Sequence, residues 1–222
     1  MLSETMSVRD LRRQWKPIKN RLKQKPDGDS TAIRIHRAFS WMAQAEENES
    51  DLDLNLVYRW IAFNALYGQW VEESREPAPD KETWGKFVDR ILALDSAKQI
   101  EGTLIEHKKL VMTLLDDEYL SRFYWKDPTD QQAKKSKKLK YKARTWYLEK
   151  RWALIMDKVM ERIYLIRCQL MHGAATHNSK LNRTSLKRCS IMLGHLLQAF
   201  IVVIIDNGAD EDWGVMCYPP MN

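Results

Sequence analysis

Arg167 and His172 stand five positions apart at the end of a long helical pattern, and Gly173 follows at once. A guanidinium is a permanent cation whose fork of donors suits an anion. An imidazole, with a reference pKa near ~6.5, exchanges protons at neutral pH. Together the two can hold an anion and move a proton beside it. The same residue types also cap helix C-termini simply by meeting the last carbonyls, so the pair alone decides nothing.

The element that must position them is the apolar run 152–171. Trp152, Ile155, Val159, Ile163, Ile166 and Leu170 recur at helical spacing and predict a core-facing helix, placed from about Arg144 to Met171. Gly173 fits the residue just past the helix end, since glycine alone takes a left-handed backbone without steric cost. His172 then lies where the helix dipole favours protonation. Arg167 interrupts a neighbouring stripe of Met156, Met160, Tyr164 and Met171, and a guanidinium there must find an anion or acceptors. Five residues turn an ideal helix by about 500°, leaving the two side chains roughly 140° apart. One site for both requires a loosened helix end, or two chains that share the work.

The rest of the chain is read the same way. Residues 1–30, polar and basic with Pro17, Pro26 and Gly28, predict a loosely ordered arm in which Leu11, Trp15 and Ile18 can form one short docked helix. Helices follow over 31–47 and from Asp51 or Asp53 to about Glu73, then over 81–94 and from Ala97 to about Leu115, or on to Tyr124, as an inserted or flanking pair. In the second of these Asn64 falls on an apolar arc, which predicts a packed polar group held by a neighbouring helix or set beside Arg167 and His172. A final helix reaches about Asp206, and 207–222 reads as an irregular tail. The domain division is thus an arm (1–30), a helical domain (31–206, with 77–143 as insertion and basic loop) and a tail (207–222).

Composition narrows the classes. In 222 residues, 44% are hydrophobic and 30% charged, ordinary for a soluble globular chain, while 8 glycines and 7 prolines argue against a turn-rich β fold. Three cysteines without Cys-x2-Cys spacing read as reduced thiols of a cytoplasmic protein. No signal sequence opens the chain, and the run Ile191–Ile205 is too short and too marked to span a membrane. His172 and His177 lack a third ligand nearby, and no His-Glu-x2-His, Gly-rich phosphate loop or Gly-x-Ser-x-Gly occurs. No metal or cofactor is expected. Net charge is +6, yet 134–151 alone holds nine basic residues against one acidic, a net +8 that leaves −2 elsewhere. Lys134, Lys135, Lys137, Lys138, Lys140 and Lys142, followed by Trp146 and Tyr147, form either a solvated segment or a surface for nucleic-acid phosphates and bases.

Arg-x4-His-Gly closing a long helix resembles the RNase motif of HEPN-domain proteins. Asn178-Ser179 and Asn182-Arg183 look like the polar loop after that motif in a bacterial subgroup, and Trp60 to Gly68 looks like that subgroup's second core helix. The resemblance implies an all-α, up-and-down bundle of HEPN type, usually a homodimer whose paired motifs face one cleft. It implies metal-independent RNA cleavage by a toxin or antiviral-defence effector, with an antitoxin or defence-system protein as a further partner. Arg167 and His172 would be catalytic, with Asn64, Cys168 and Asn178 supporting. Active members usually carry a polar residue where Cys168 stands, so a non-catalytic module binding RNA or a partner protein is the alternative. Ala174 replaces the tyrosine that some members offer for modification, so that form of control is not implied.

Chemistry under this resemblance follows from the residue types. RNA supplies its own nucleophile in the 2′-hydroxyl, His172 acts as general base, and Arg167 stabilises the phosphorane. A 2′,3′-cyclic phosphate results, and DNA survives.

Overall fold

The spacing Val8, Leu11, Trp15 and Leu22 lays four apolar side chains on one stripe, and all four are buried in helix α1 (Val8–Leu22). The computed structural model describes residues 6–24, 29–174, 176–180 and 182–219. The expected loosely ordered arm is therefore, over 8–22, a docked helix longer than the short one allowed for. Pro17 sits inside it on the exposed side, where one intrahelical hydrogen bond is forfeited without burying the freed carbonyl. Pro26, Gly28 and residues 1–5 of that arm lie outside the described residues.

Helix α2 (Asp29–Glu47) and α3 (Leu52–Tyr67) form an antiparallel hairpin. Asn55 donates to Ala45 O near its turn, and Arg34 reaches the carbonyls of Leu66 and Gly68 at its open end. Asp51 caps α3 by accepting the amides of Asp53 and Leu54. The helix stops at Tyr67, short of the expected Glu73, where a small antiparallel ribbon begins (β1, Trp70–Val71; β2, Glu76–Pro77).

Five helices fill the stretch expected as an insertion: α4 (Asp80–Leu94), α5 (Gln99–Glu106), α6 (Lys108–Asp116), α7 (Arg122–Lys126) and α8 (Asp130–Leu148). The single helix expected over 97–115 breaks at His107. The expected basic loop is helical throughout, as most of α8. These helices share one core with the rest, which runs from Val8 to Trp213.

Helix α9 (Trp152–Met171) begins later than predicted, because Lys150 takes a left-handed backbone (φ 55°) and ends α8 at Leu148. That turn folds α8 back along α9 and brings Tyr147 and Trp152 edge to face at 5.7 Å. Helix α10 (Arg183–Val203), continued by a π-turn at Ile204–Gly208, is the central rod. It runs parallel to α3, since Asp53 meets Arg183, Asn55 meets Ser190 and Phe63 stacks on Phe200. Arg183–Gly208 is long and apolar enough to cross a membrane (mean hydropathy 2.0), but 67% of that apolar stretch is buried in the core. Among the described residues the architecture is all-α apart from the ribbon, as expected.

The tail packs. Trp213 is buried, and Arg34 ties the tail to α3 by donating to the Trp213 and Gly214 carbonyls as well. Residues 220–222 lie outside the described part.

Candidate functional site

Helix α9 keeps its α-helical phase to the end. His172 N–H still donates to Cys168 O, four residues back, while Gly173 and Ala174 donate to Leu170 O and Gln169 O. This is a Schellman cap with Gly173 left-handed at φ 67°, as its place in the sequence predicted. The helix does not loosen before the histidine, so Arg167 and His172 diverge by about 140° within one chain. His172 is exposed, and no side chain bonds its imidazole among the described residues.

Arg167 points the other way, into the bundle. Its Nη2 lies 3.4 Å from Asp80 Oδ2, and its guanidinium covers the rings of Trp60 (5.4 Å) and Tyr164 (5.8 Å). Asp80 also accepts from Tyr67 Oη at 3.0 Å. Burial, reinforced by this carboxylate, drives the Tyr67 phenol far above its usual range, so it stays a donor. Burial likewise raises Tyr164, helped by Cys168 and Asp80 and opposed by Arg167. Arg167 Nε is buried with no acceptor, and its contact with Cys168 Sγ is long, at 4.0 Å. The guanidinium thus has donors to spare. Sequence reasoning missed Asp80, which looks like any acid in a helix's first turn; Trp60, Tyr67 and Tyr164 read simply as core.

Two expected supporting residues stand elsewhere. Asn64 is exposed, not packed: it opens onto a cavity of about 290 Å³ that also borders Asp80, and no hydrogen bond joins it to Arg167 or His172. Asn178, left-handed at φ 58°, instead anchors its loop. Its N–H donates to Asp53 Oδ2 and its Oδ1 accepts from Arg183, which itself pairs with Asp53 at 2.7 Å. His177 meets Asp51 at 3.0 Å, so ligand atoms of Asp51, Asp53 and His177 lie within 4.8 Å of one another. Those carboxylates already cap α3 and hold Arg183, and the cluster serves as a clasp between the loop, α3 and α10.

The six lysines separate by helical phase. Lys135, Lys138 and Lys142 share one face of α8 that turns toward α9; Lys134 and Lys137 face solvent, and Lys140 is paired with Asp116 at 2.6 Å. Beside them Tyr119, Phe123, Trp125 and Tyr141 are exposed. Gln169, between the two motif residues, links this aromatic group to the loop after α9: it donates to Tyr119 O at 3.4 Å and accepts from Asn182 at 3.1 Å.

No protein-family model, curated protein or solved structure matches the chain.

Proposed function

We propose that the chain is a cytoplasmic endoribonuclease of HEPN type, a toxin or antiviral-defence effector that cleaves RNA without a metal. The observation that carries this is the under-used guanidinium of Arg167, with Nε buried and unpaired, on the same helix that ends in the exposed, unengaged His172. Because the two side chains diverge, the site needs two copies of the chain, with Arg167 of one near His172 of the other. His172 removes the 2′-hydroxyl proton, and the oxygen attacks phosphorus. Arg167 takes the phosphorane charge in exchange for Asp80. The 5′-oxygen leaves with a proton from the second histidine, and a 2′,3′-cyclic phosphate remains. Exposed Tyr119, Phe123 and Trp125, with the outward lysines of α8, give stacking surfaces and phosphate contacts to the same RNA. An antitoxin or defence-system protein belongs to this reading as a partner.

A second reading, RNA binding without cleavage, is favoured by one observation: Asp80 already occupies Arg167. One experiment separates the two. Wild type and His172→Ala are incubated with bulk tRNA and mRNA in EDTA, and cyclic-phosphate ends are mapped. Cleavage by wild type alone supports the nuclease. Cleavage undiminished in His172→Ala overturns it, and salt-sensitive binding with no cleavage by either protein selects the second reading.

A further inference from the structure

The α8 face that carries Lys135, Lys138 and Lys142 does not simply meet water. Across from it, Lys158, Arg162 and Leu165 lie on the facing side of α9, and the two helices flank a half-open cavity of about 490 Å³ that α4 and α7 also border. That volume is within the range of small-molecule sites, roughly 300–1,000 Å³. Seven cationic side chains line it and a single carboxylate, Glu161. Glu161 is already shared by Lys81 at 3.2 Å and Lys158 at 3.0 Å. Arg122, Lys135, Lys138 and Lys142 have no carboxylate partner among the described residues; the first and second lie over the Phe123 ring, at 5.0 and 4.8 Å.

The floor is built rather than incidental. Arg162 is only 5% exposed, and its guanidinium donates to two neutral acceptors, Leu115 O and Ser136 Oγ, each at 3.2 Å. A buried cation without a counter-ion in contact is costly, and an anion in the cavity would offset that cost. Trp84, itself almost fully buried, contributes to the lining of the cavity. Leu120, Leu139, Tyr164 and Leu165 supply apolar and aromatic wall. The excess of cations calls for several negative charges on one ligand. The apolar and aromatic wall calls for a flat ring body.

We propose that this cleft binds a small polyanion with a flat aromatic body, the chemistry of a nucleoside polyphosphate, free or at the end of an RNA strand. The ring system packs against Leu139, Leu165 and Tyr164, and the phosphates meet Lys135, Lys138, Lys142 and Arg122. The site uses neither Arg167 nor His172, so it stands or falls independently of cleavage. Tyr164 joins it to the Arg167 cluster.

The test is titration of the full chain with a fluorescent N-methylanthraniloyl ATP. Saturable binding is expected, displaced by ATP at least about tenfold better than by adenosine or tripolyphosphate, since each alone forfeits one set of contacts. Lys138→Glu with Lys142→Glu, both exposed and therefore harmless to the fold, weakens binding by about tenfold or more. Leu139→Trp, which fills the cavity without changing charge, does the same. Displacement by a single-stranded RNA oligonucleotide assigns the pocket to an RNA nucleotide, and its failure to displace assigns it to the free one. No saturable binding at millimolar probe overturns the proposal. So does equal displacement by tripolyphosphate, or binding unaffected by a folded Leu139→Trp protein, because either reduces the site to a basic surface.

Discussion

Arg167 Nη2 sits 3.4 Å from Asp80 Oδ2, so the arginine of the motif is paired with the first turn of α4, on the opposite side of α9 from His172. Any anion that Arg167 binds must compete with Asp80, and the pair sets how readily the guanidinium is released.

Asp80→Asn removes that competitor while still offering Tyr67 an acceptor. RNA affinity is expected to rise, by about tenfold if a charge-assisted contact is transferred to phosphate. Stability falls by about 1–2 kcal/mol through the lost partly buried pair. Filter binding and urea unfolding with an unchanged m-value check both parts. Weaker RNA binding in this variant would place Arg167 outside the RNA contact.

Gly173→Ala tests how the end of α9 holds His172. At φ 67° a Cβ is strained even though space around it is open. A loss of about 1 kcal/mol is expected, together with reduced cleavage. Gly173→Asn, which tolerates the left-handed backbone better, recovers much of both. Thermal unfolding and the cyclic-phosphate assay provide the readings, and equal behaviour of the two variants would remove the backbone argument.

Arg34 is 2% exposed and donates to four carbonyls, those of Leu66, Gly68, Trp213 and Gly214. Lysine cannot serve four acceptors from one ammonium in that geometry. Arg34→Lys should cost about 2–4 kcal/mol and free the tail first. Hydrogen exchange at the Trp70 amide, which donates to Val215 O, should then outpace exchange in α10. Uniform acceleration across the chain would instead mean that tail and core open together.

His195 supplies a pH signature. Burial, with His107 stacked on it at 3.7 Å and Arg59 nearby, pushes it down to about 4. In the unfolded chain it titrates near ~6.5. Between these values the unfolded chain binds a proton that the folded one refuses. Its contribution is therefore fully present above about pH 6.5 and is lost as the pH falls toward 4. His195→Gln should flatten the fall in melting temperature over that window while leaving behaviour above pH 7 parallel to wild type. An identical acid slope in both proteins would assign it to other groups.

Local signals in the sequence were decisive where the physics is local. Asp51 caps α3 and Gly173 terminates α9 because both depend on a few adjacent backbone groups. The apolar spacing of α9 and α10 fixed which faces are buried, and the same periodicity made the all-α class legible. It failed at Pro17, where a docked stripe outweighs one broken bond, and at Lys150, where no residue type announces a left-handed turn.

The sequence by itself determined the all-α class, the cap of α3, the end of α9 and the clustering of lysines on one segment. Tertiary structure alone decided that Asp80 meets Arg167, that Asn64 is exposed, that Asn178 belongs to a clasp with Asp53 and Arg183, and that of the six lysines between 134 and 142 Lys135, Lys138 and Lys142 line the α8–α9 cleft. Helical propensity and capping are set within a turn or two of chain. The partner of a buried charge is chosen by which distant helices pack together, and by which acceptors their packing leaves without water.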